Sequence, residues 1–358
     1  MRRMALLLAA VLSAVSLTAC GGTKADVVAT WFDQTAAAAA TQGGPDPVPS
    51  RTWALAWWAA DRAVATSPDD DAALATAVHD VLLALVPARR EQLDRALGDT
   101  DDAAGHREAA AVLAERAGDG LTAAQLNRPV TLPAPRPGVY RATGEPPAQG
   151  GQGDARPFLL RSTDEIAVTP PPALDSAAYA RDLSEVRRLG ERTSTERTPA
   201  QTDVATFYES SLVGLLTPGV RAAVVGRDAR TAASLLSDLH RILLDAQLAA
   251  YRAKYDVLHW RPVTAIGGGW TPLLATPPSP DHPSGHTVYA AALATVLQQR
   301  VGDLPFALGK RRYTRWQQIV EENIDARVWA GVHFRSADVA GADLGRRVAE
   351  LDLARLAR

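Results

Sequence analysis

Cysteine, lysine and long apolar runs are scarce in this sequence, and each scarcity excludes something. A single cysteine, Cys20, leaves no intrachain disulfide to staple the fold. Only three of the 38 basic side chains are lysines (Lys24, Lys254 and Lys310), so a lysine kept where the chain almost always writes arginine asks for a reason. Beyond the N-terminal segment no stretch reaches the ~18 uncharged apolar residues that cross a bilayer. Basic residues are interspersed with 40 acidic ones for a net charge of -2, which excludes a nucleic-acid partner gripped by its phosphates. Strand-like alternation is nearly absent, and there is no internal repeat. What is present is a chain of 358 residues, 47% of them apolar, enough to bury a full core.

Arg2 and Arg3 precede an apolar run from Met4 to Leu17, the length of a signal-peptide core and short for a bilayer span. The run closes on Leu17-Thr18-Ala19-Cys20, which resembles the lipobox of bacterial lipoproteins. That resemblance implies a signal peptide over 1–19, a diacylated Cys20 as the new N-terminus and a short tether over 20–24. The protein is then expected to be exported and lipid-anchored on the outer face of the cell membrane, or on the periplasmic side of a Gram-negative cell. An ordinary signal peptide cut elsewhere is the alternative.

From about residue 25 onward apolar residues recur at helical spacing, which predicts an all-α, multi-helix bundle forming one domain over 25–358. Trp53, Leu55, Trp57, Trp58 and Val64 mark one helix, its tryptophans assigned to the core. The next carries Leu74, Val78, Val81, Leu82 and Leu85 behind Asp69-Asp70-Asp71, acids that suit a helix N-terminus. Further helices are predicted over about 89–97, 103–117, 176–189, 200–215, 229–260, 285–301 and 310–329, with a last one capped by Ser336. Residues 128–173 are dense in proline and glycine and cannot form a regular helix. Tyr140, Phe158, Leu159 and Leu160 within them predict a long excursion packed on the body rather than a linker.

Three segments carry chemistry. Lys254 and Arg261, before Pro262, stand two helical turns apart, so they share a face if the helix persists to its proline stop. Two cations on one face repel unless they share an anion. Pro283-Ser284-Gly285-His286 places a hydroxyl, an unobstructed N–H and an imidazole at a helix N-terminus, a natural anion site. Arg327 and His333 point about 120° apart on a straight helix, and converge only if the chain turns at Gly331.

In this order, Lys-x6-Arg-Pro, Pro-Ser-Gly-His and Arg-x5-His resemble the signature of a superfamily of vanadium-dependent haloperoxidases, type 2 phosphatidic acid phosphatases and bacterial acid phosphatases. Ser50-Arg-Thr-Trp-Ala-Leu, the run from Ala77 to Leu85 and the prolines at 170–172 are similar to bacterial haloperoxidase-like proteins. The resemblance implies that Lys254, Arg261, Ser284, Gly285 and Arg327 hold the oxygens of vanadate, or of phosphate in a phosphatase. It makes His333 the axial ligand of vanadium or the nucleophile on phosphorus, and His286 the acid–base, with Lys254 assisting. Two positions depart from the pattern: Ala326 replaces the serine that usually precedes the arginine, and Ala337 stands where the phosphatases carry an acid. Either the neighbouring Asp338 or a backbone carbonyl is then expected to orient His333. His259 and His282 are read as rim residues, and His79, His106 and His240 as structural.

The leading functional expectation is a vanadate-dependent haloperoxidase that oxidises halide with hydrogen peroxide. The alternative is an acid phosphatase that hydrolyses phosphate esters through a phosphohistidine in the same pocket. A lipid-anchored oxyanion-binding protein without turnover is the reading from another class. Two histidines beside the cations argue against it, because capture alone needs no acid–base.

Overall fold

A computed structural model describes residues 26–41 and 48–357. The signal-peptide, lipobox and tether assignments, Cys20 included, lie outside these residues. Among the described residues the regular structure is fourteen α-helices, two short 3₁₀ turns and one small hairpin, as the all-α reading predicts.

The N-terminal helices are α1 (Val27–Ala39), α2 (Pro49–Val64), α3 (Asp70–Leu85), α4 (Arg90–Leu97) and α5 (Ala103–Glu115), followed by the single turn α6 (Ala123–Leu126). Asp69 caps α3 by accepting from the Ala72 N–H, as the acidic entry predicted. Trp53 and Trp57 are fully buried, in keeping with their assignment to the core. His240 stacks on Trp53 with ring centroids 4.7 Å apart. His79 and His106 both lean on Asp80, at 2.8 and 2.6 Å. Ion pairs to Asp94 and Asp101 complete a clamp across α3, α4 and α5, far from the chemistry.

Residues 128–173 form no α-helix and wrap the body, as their prolines require. Asp245 anchors the excursion by accepting the backbone N–H groups of Phe158, Leu159 and Leu160. Beyond it come α7 (Ala177–Leu189), α8 (Pro199–Phe207), α9 (Leu212–Val224) and the long α10 (Ala229–Val257). The helix predicted over 200–215 is therefore two. The chain breaks at Tyr208 to Ser211, and α9 continues through Pro218, whose missing N–H does not stop it.

After α10 come α11 (Pro262–Ile266), α12 (Gly285–Arg300), the hairpin β1 (Phe306–Leu308) and β2 (Arg311–Tyr313), α13 (Gln317–Trp329) and α14 (Arg335–Leu356). The hairpin corrects the helix predicted to start at 310: Gly309 takes φ 58°, and the strands pair Phe306 with Tyr313. The N-cap of α14 is Phe334 rather than Ser336, whose N–H is instead accepted by Asp182. One apolar core runs from Val28 and Trp31 in α1 through Leu239 and Ile242 in α10 to Leu344 and Val348 in α14. α12 and α14 pack backbone to backbone. There a Cβ on Gly341 would lie 2.5 Å from the Ser284 carbonyl, and one on Gly345 2.1 Å from that of Val288. Only glycine lets the two backbones come this close.

Candidate active site

Three turns of chain meet between α10, α12 and α14. The first ends α10. Lys254, 2% exposed, donates from Nζ to the carbonyls of Pro280 (2.7 Å) and Asp281 (3.3 Å). An ammonium has three protons, so one remains for a ligand. Leu258 then adopts a left-handed conformation, φ 51°, and stops the helix. Arg261 thus enters from a turn rather than from the helix face that the two-turn spacing implied. It is buried and fixed by donating Nε to the Ser279 carbonyl (2.8 Å) and Nη1 to that of Val332 (2.7 Å). The excursion braces this turn: the Tyr140 N–H donates to Leu258 and the Trp260 N–H to Gly138.

The second turn leads into α12. The buried Ser284 is its N-cap and ties the turn to α14 through its N–H, which donates to the Ala337 carbonyl (2.9 Å). A Cβ added to Gly285 would meet nothing closer than Lys254 Cε at 3.8 Å, so the helix N-terminus faces the ammonium across open space. Half-buried His286 follows in the first helical turn.

The third turn joins α13 to α14. Arg327, near the end of α13, is buried and donates Nη1 to the Tyr208 carbonyl (2.9 Å). Gly331 reverses the chain at φ 77°, and a Cβ there would lie 2.4 Å from the Gly190 carbonyl. The reversal brings His333 back into the site, its Nε2 3.0 Å from Arg261 Nη1.

Buried Asp281 organises the charges. Its Oδ1 lies 2.9 Å from His333 Nδ1 and 3.9 Å from Arg261 Nη1, and its Oδ2 lies 3.8 Å from His259 Nδ1. Burial works to raise this carboxyl, but His333, His259 and Arg261 outweigh it and hold it below the usual range. Burial, then Arg261, pushes the His333 imidazole well below its usual value, so His333 is neutral. A neutral ring with its Nδ1 proton toward Asp281 keeps a lone pair on Nε2. Burial, then Arg327 and His333, likewise depresses His286. Lys254 falls through burial and Arg261, and Arg327 drops to about 10. Burial and mutual repulsion depress these cations, and a bound anion would relieve both. Two buried polar atoms, His286 Nε2 and Arg327 Nε, have no hydrogen-bond partner among the described residues.

Comparison with known proteins agrees with this architecture. A family model described as the VCPO second helical-bundle domain matches residues 236–358, the segment that carries all three turns. A solved structure titled as the first bacterial vanadium-dependent iodoperoxidase superposes with TM-score 0.80 at 21% identity, over 92% of this chain and 95% of that one. The fold is that of the vanadium haloperoxidases. An apo-type bacterial vanadium-dependent chloroperoxidase gives TM-score 0.70 at 16% identity, covering 89% of this chain and 96% of that one. A holo-type chloroperoxidase gives 0.66 at 14%, over 93% and 92%. A search of curated protein sequences returned no match.

Within this haloperoxidase-like fold, every residue expected at the site lies in the three turns: Lys254, Arg261, Ser284, Gly285, His286, Arg327 and His333. The second shell differs from expectation. Neither Asp338 nor a backbone carbonyl takes His333 Nδ1, because Asp281 does. Asp338 interacts instead with Ser284 and Arg327, and burial, reinforced by Asp281, raises its carboxyl well above the usual range. His259 and His282 are not rim residues. Both are buried, His259 behind Asp281 and His282 with Nε2 2.7 Å from the Thr169 carbonyl of the excursion. Asp281 was legible only as an acid three residues before Ser284, and nothing in the spacing singled it out.

Proposed function

We propose that the protein is a vanadate-dependent haloperoxidase. The observation that carries this reading is a buried cage of three cations facing a helix N-terminus and a histidine held between Asp281 at Nδ1 and Arg261 at Nε2. The orphaned Arg327 Nε and His286 Nε2 fit a tetrahedral oxyanion, which supplies an acceptor for the guanidinium. Lys254, Arg261, Arg327, Ser284 and the Gly285 N–H would hold vanadate oxygens, and His333 Nε2 would bind vanadium. When bound, vanadate supplies the Lewis acidity through which hydrogen peroxide oxidises halide. Arg261 and Arg327 balance the negative charge at the site, and Lys254 keeps one proton for a ligand oxygen. His286, neutral and at the edge, takes a proton from peroxide and returns it to the leaving oxygen.

The same cage supports phosphomonoester hydrolysis, with His333 attacking phosphorus and His286 protonating the leaving alkoxide. One feature of the chain favours the peroxidase. Its sulfur side chains are Met1, Met4 and Cys20 alone, so residues 21–358 hold no thiol or thioether for an oxidant to attack. A phosphatase has no need of such a composition. Bromide oxidation and phosphate-ester hydrolysis, assayed side by side on vanadate-loaded and vanadate-free protein, separate the two. Vanadate-dependent bromide oxidation with no esterase activity is expected, and esterase activity that vanadate inhibits would reverse the assignment. The resemblance of Leu17-Thr18-Ala19-Cys20 to a lipobox supports export and tethering through Cys20.

A further inference from the structure

Arg327 and His286 stand on different helices, α13 and α12, yet one short bend touches both. The bend runs from Tyr208 to Ser211, between α8 and α9. Its Tyr208 carbonyl accepts Nη1 of Arg327 at 2.9 Å. Two residues on, the Ser210 backbone accepts a hydrogen bond from the His286 ring. Because His286 Nε2 has no partner among the described residues, that bond is made through Nδ1. Glu209, Ser210 and Ser211 are exposed, so packing does not hold the bend through them. Its one buried member, Tyr208, ties it down.

The Tyr208 hydroxyl donates to Glu322 Oε2 at 3.1 Å, and Tyr313 of β2 donates to the same oxygen at 2.6 Å. Arg311 of β2 pairs with the other oxygen of Glu322 and lies 4.8 Å over the Phe207 ring. Glu322 and Arg327 both belong to α13, about 7.5 Å apart along its axis, a length that one tyrosine bridges from carbonyl to hydroxyl. We propose that this bend is a positioning element of the reaction centre: Tyr208, anchored on Glu322, fixes the aim of Arg327 and, through Ser210, that of His286. A charge-assisted bond to a fixed carbonyl removes rotamers that a long arginine would otherwise explore, and so leaves its free Nε aimed at one place. The proposal rests on the reading of the cage as an oxyanion site. Tyr208 and Glu322 act through Arg327 and His286, not on the anion itself.

Tyr208→Phe deletes only the hydroxyl, while Tyr313→Phe deletes the neighbouring bond to Glu322 and leaves that of Tyr208 in place. Vanadate titration of both variants and wild type tests the proposal, with melting temperature and bromide oxidation at saturating vanadate measured on the same samples. Tyr208→Phe should weaken vanadate about three- to tenfold, the scale of one lost hydrogen bond, and Tyr313→Phe by less than about twofold. Turnover at saturating vanadate should fall in Tyr208→Phe alone, because the same bend holds His286. Glu322→Leu, which removes the anchor, should reproduce the losses of Tyr208→Phe. Unchanged vanadate affinity in Tyr208→Phe would overturn the proposal. So would affinity that simply follows melting temperature across the three variants, the mark of a merely structural network. Failure of wild-type protein to bind vanadate would overturn the cage reading, and this proposal would fall with it.

Discussion

Asp281 Oδ1 sits 2.9 Å from His333 Nδ1, joining a residue of the loop before α12 to one of the turn before α14, 52 positions later. This contact sets the tautomer of His333, with the Nδ1 proton toward Asp281 and the Nε2 lone pair toward Arg261. Asp281→Asn keeps the shape but no longer enforces the proton on Nδ1, since the amide can offer either its N–H or its oxygen. Vanadate affinity should fall about 10- to 100-fold, as for other lost partners of a ligating histidine. An isothermal titration of both proteins checks this, and unchanged affinity would show that Asp281 serves Arg261 alone.

Lys254 is held as a compact point charge between two carbonyls and the open N-terminus of α12. Lys254→Arg retains the charge but replaces it with a wider planar fork, which cannot keep both carbonyl contacts and the same aim at an anion. Vanadate binding should weaken by at least about tenfold, or ~1.4 kcal/mol. Wild-type affinity in this variant would return Lys254 to a role in tying the turn alone.

Acid stability should carry the mark of His240. Burial holds its folded pKa at about 3, against an ordinary value of 6.5, so the folded state binds fewer protons than the unfolded one. Its contribution is fully present above pH 6.5 and is lost as the pH falls toward 3. His240→Phe keeps an aromatic ring against Trp53 and should flatten the acid limb of a plot of melting temperature against pH. His79 and His106 act with the opposite sign. Their carboxylate partners raise both, so the clamp stabilises below the ordinary histidine pKa and weakens as pH rises through the raised values.

Cys20→Ser should abolish fatty-acid labelling and release the protein from membranes. Equal membrane retention of the variant would discard the lipobox reading.

Helices with strong apolar periodicity were legible in the sequence, as α3, α7, α10 and α12 show, because burial of one stripe is written locally. The division of 200–215 into α8 and α9 was not, since Ser210 and Ser211 are mild breakers and Pro218 sits inside a helix that tertiary contacts keep intact. The hairpin at 306–313 hides in a segment too short for its alternation to show. At the site the three motifs were legible because their residue types are unusual together. Asp281 was not, since its partner lies in another motif and only the folded chain brings them together.

The central proposal is that the cage would hold vanadate through His333, with His286 as a separate acid–base. Equilibrium vanadate titration of wild type, His333→Ala and His286→Ala, with bromide oxidation measured on the same samples, tests it most directly. The account predicts that His333→Ala loses binding and turnover together. It predicts that His286→Ala still binds vanadate while turnover falls about 10²- to 10⁴-fold, the scale of a lost general acid–base. Equal loss of vanadate affinity in the two variants, or undiminished affinity in His333→Ala, would contradict it.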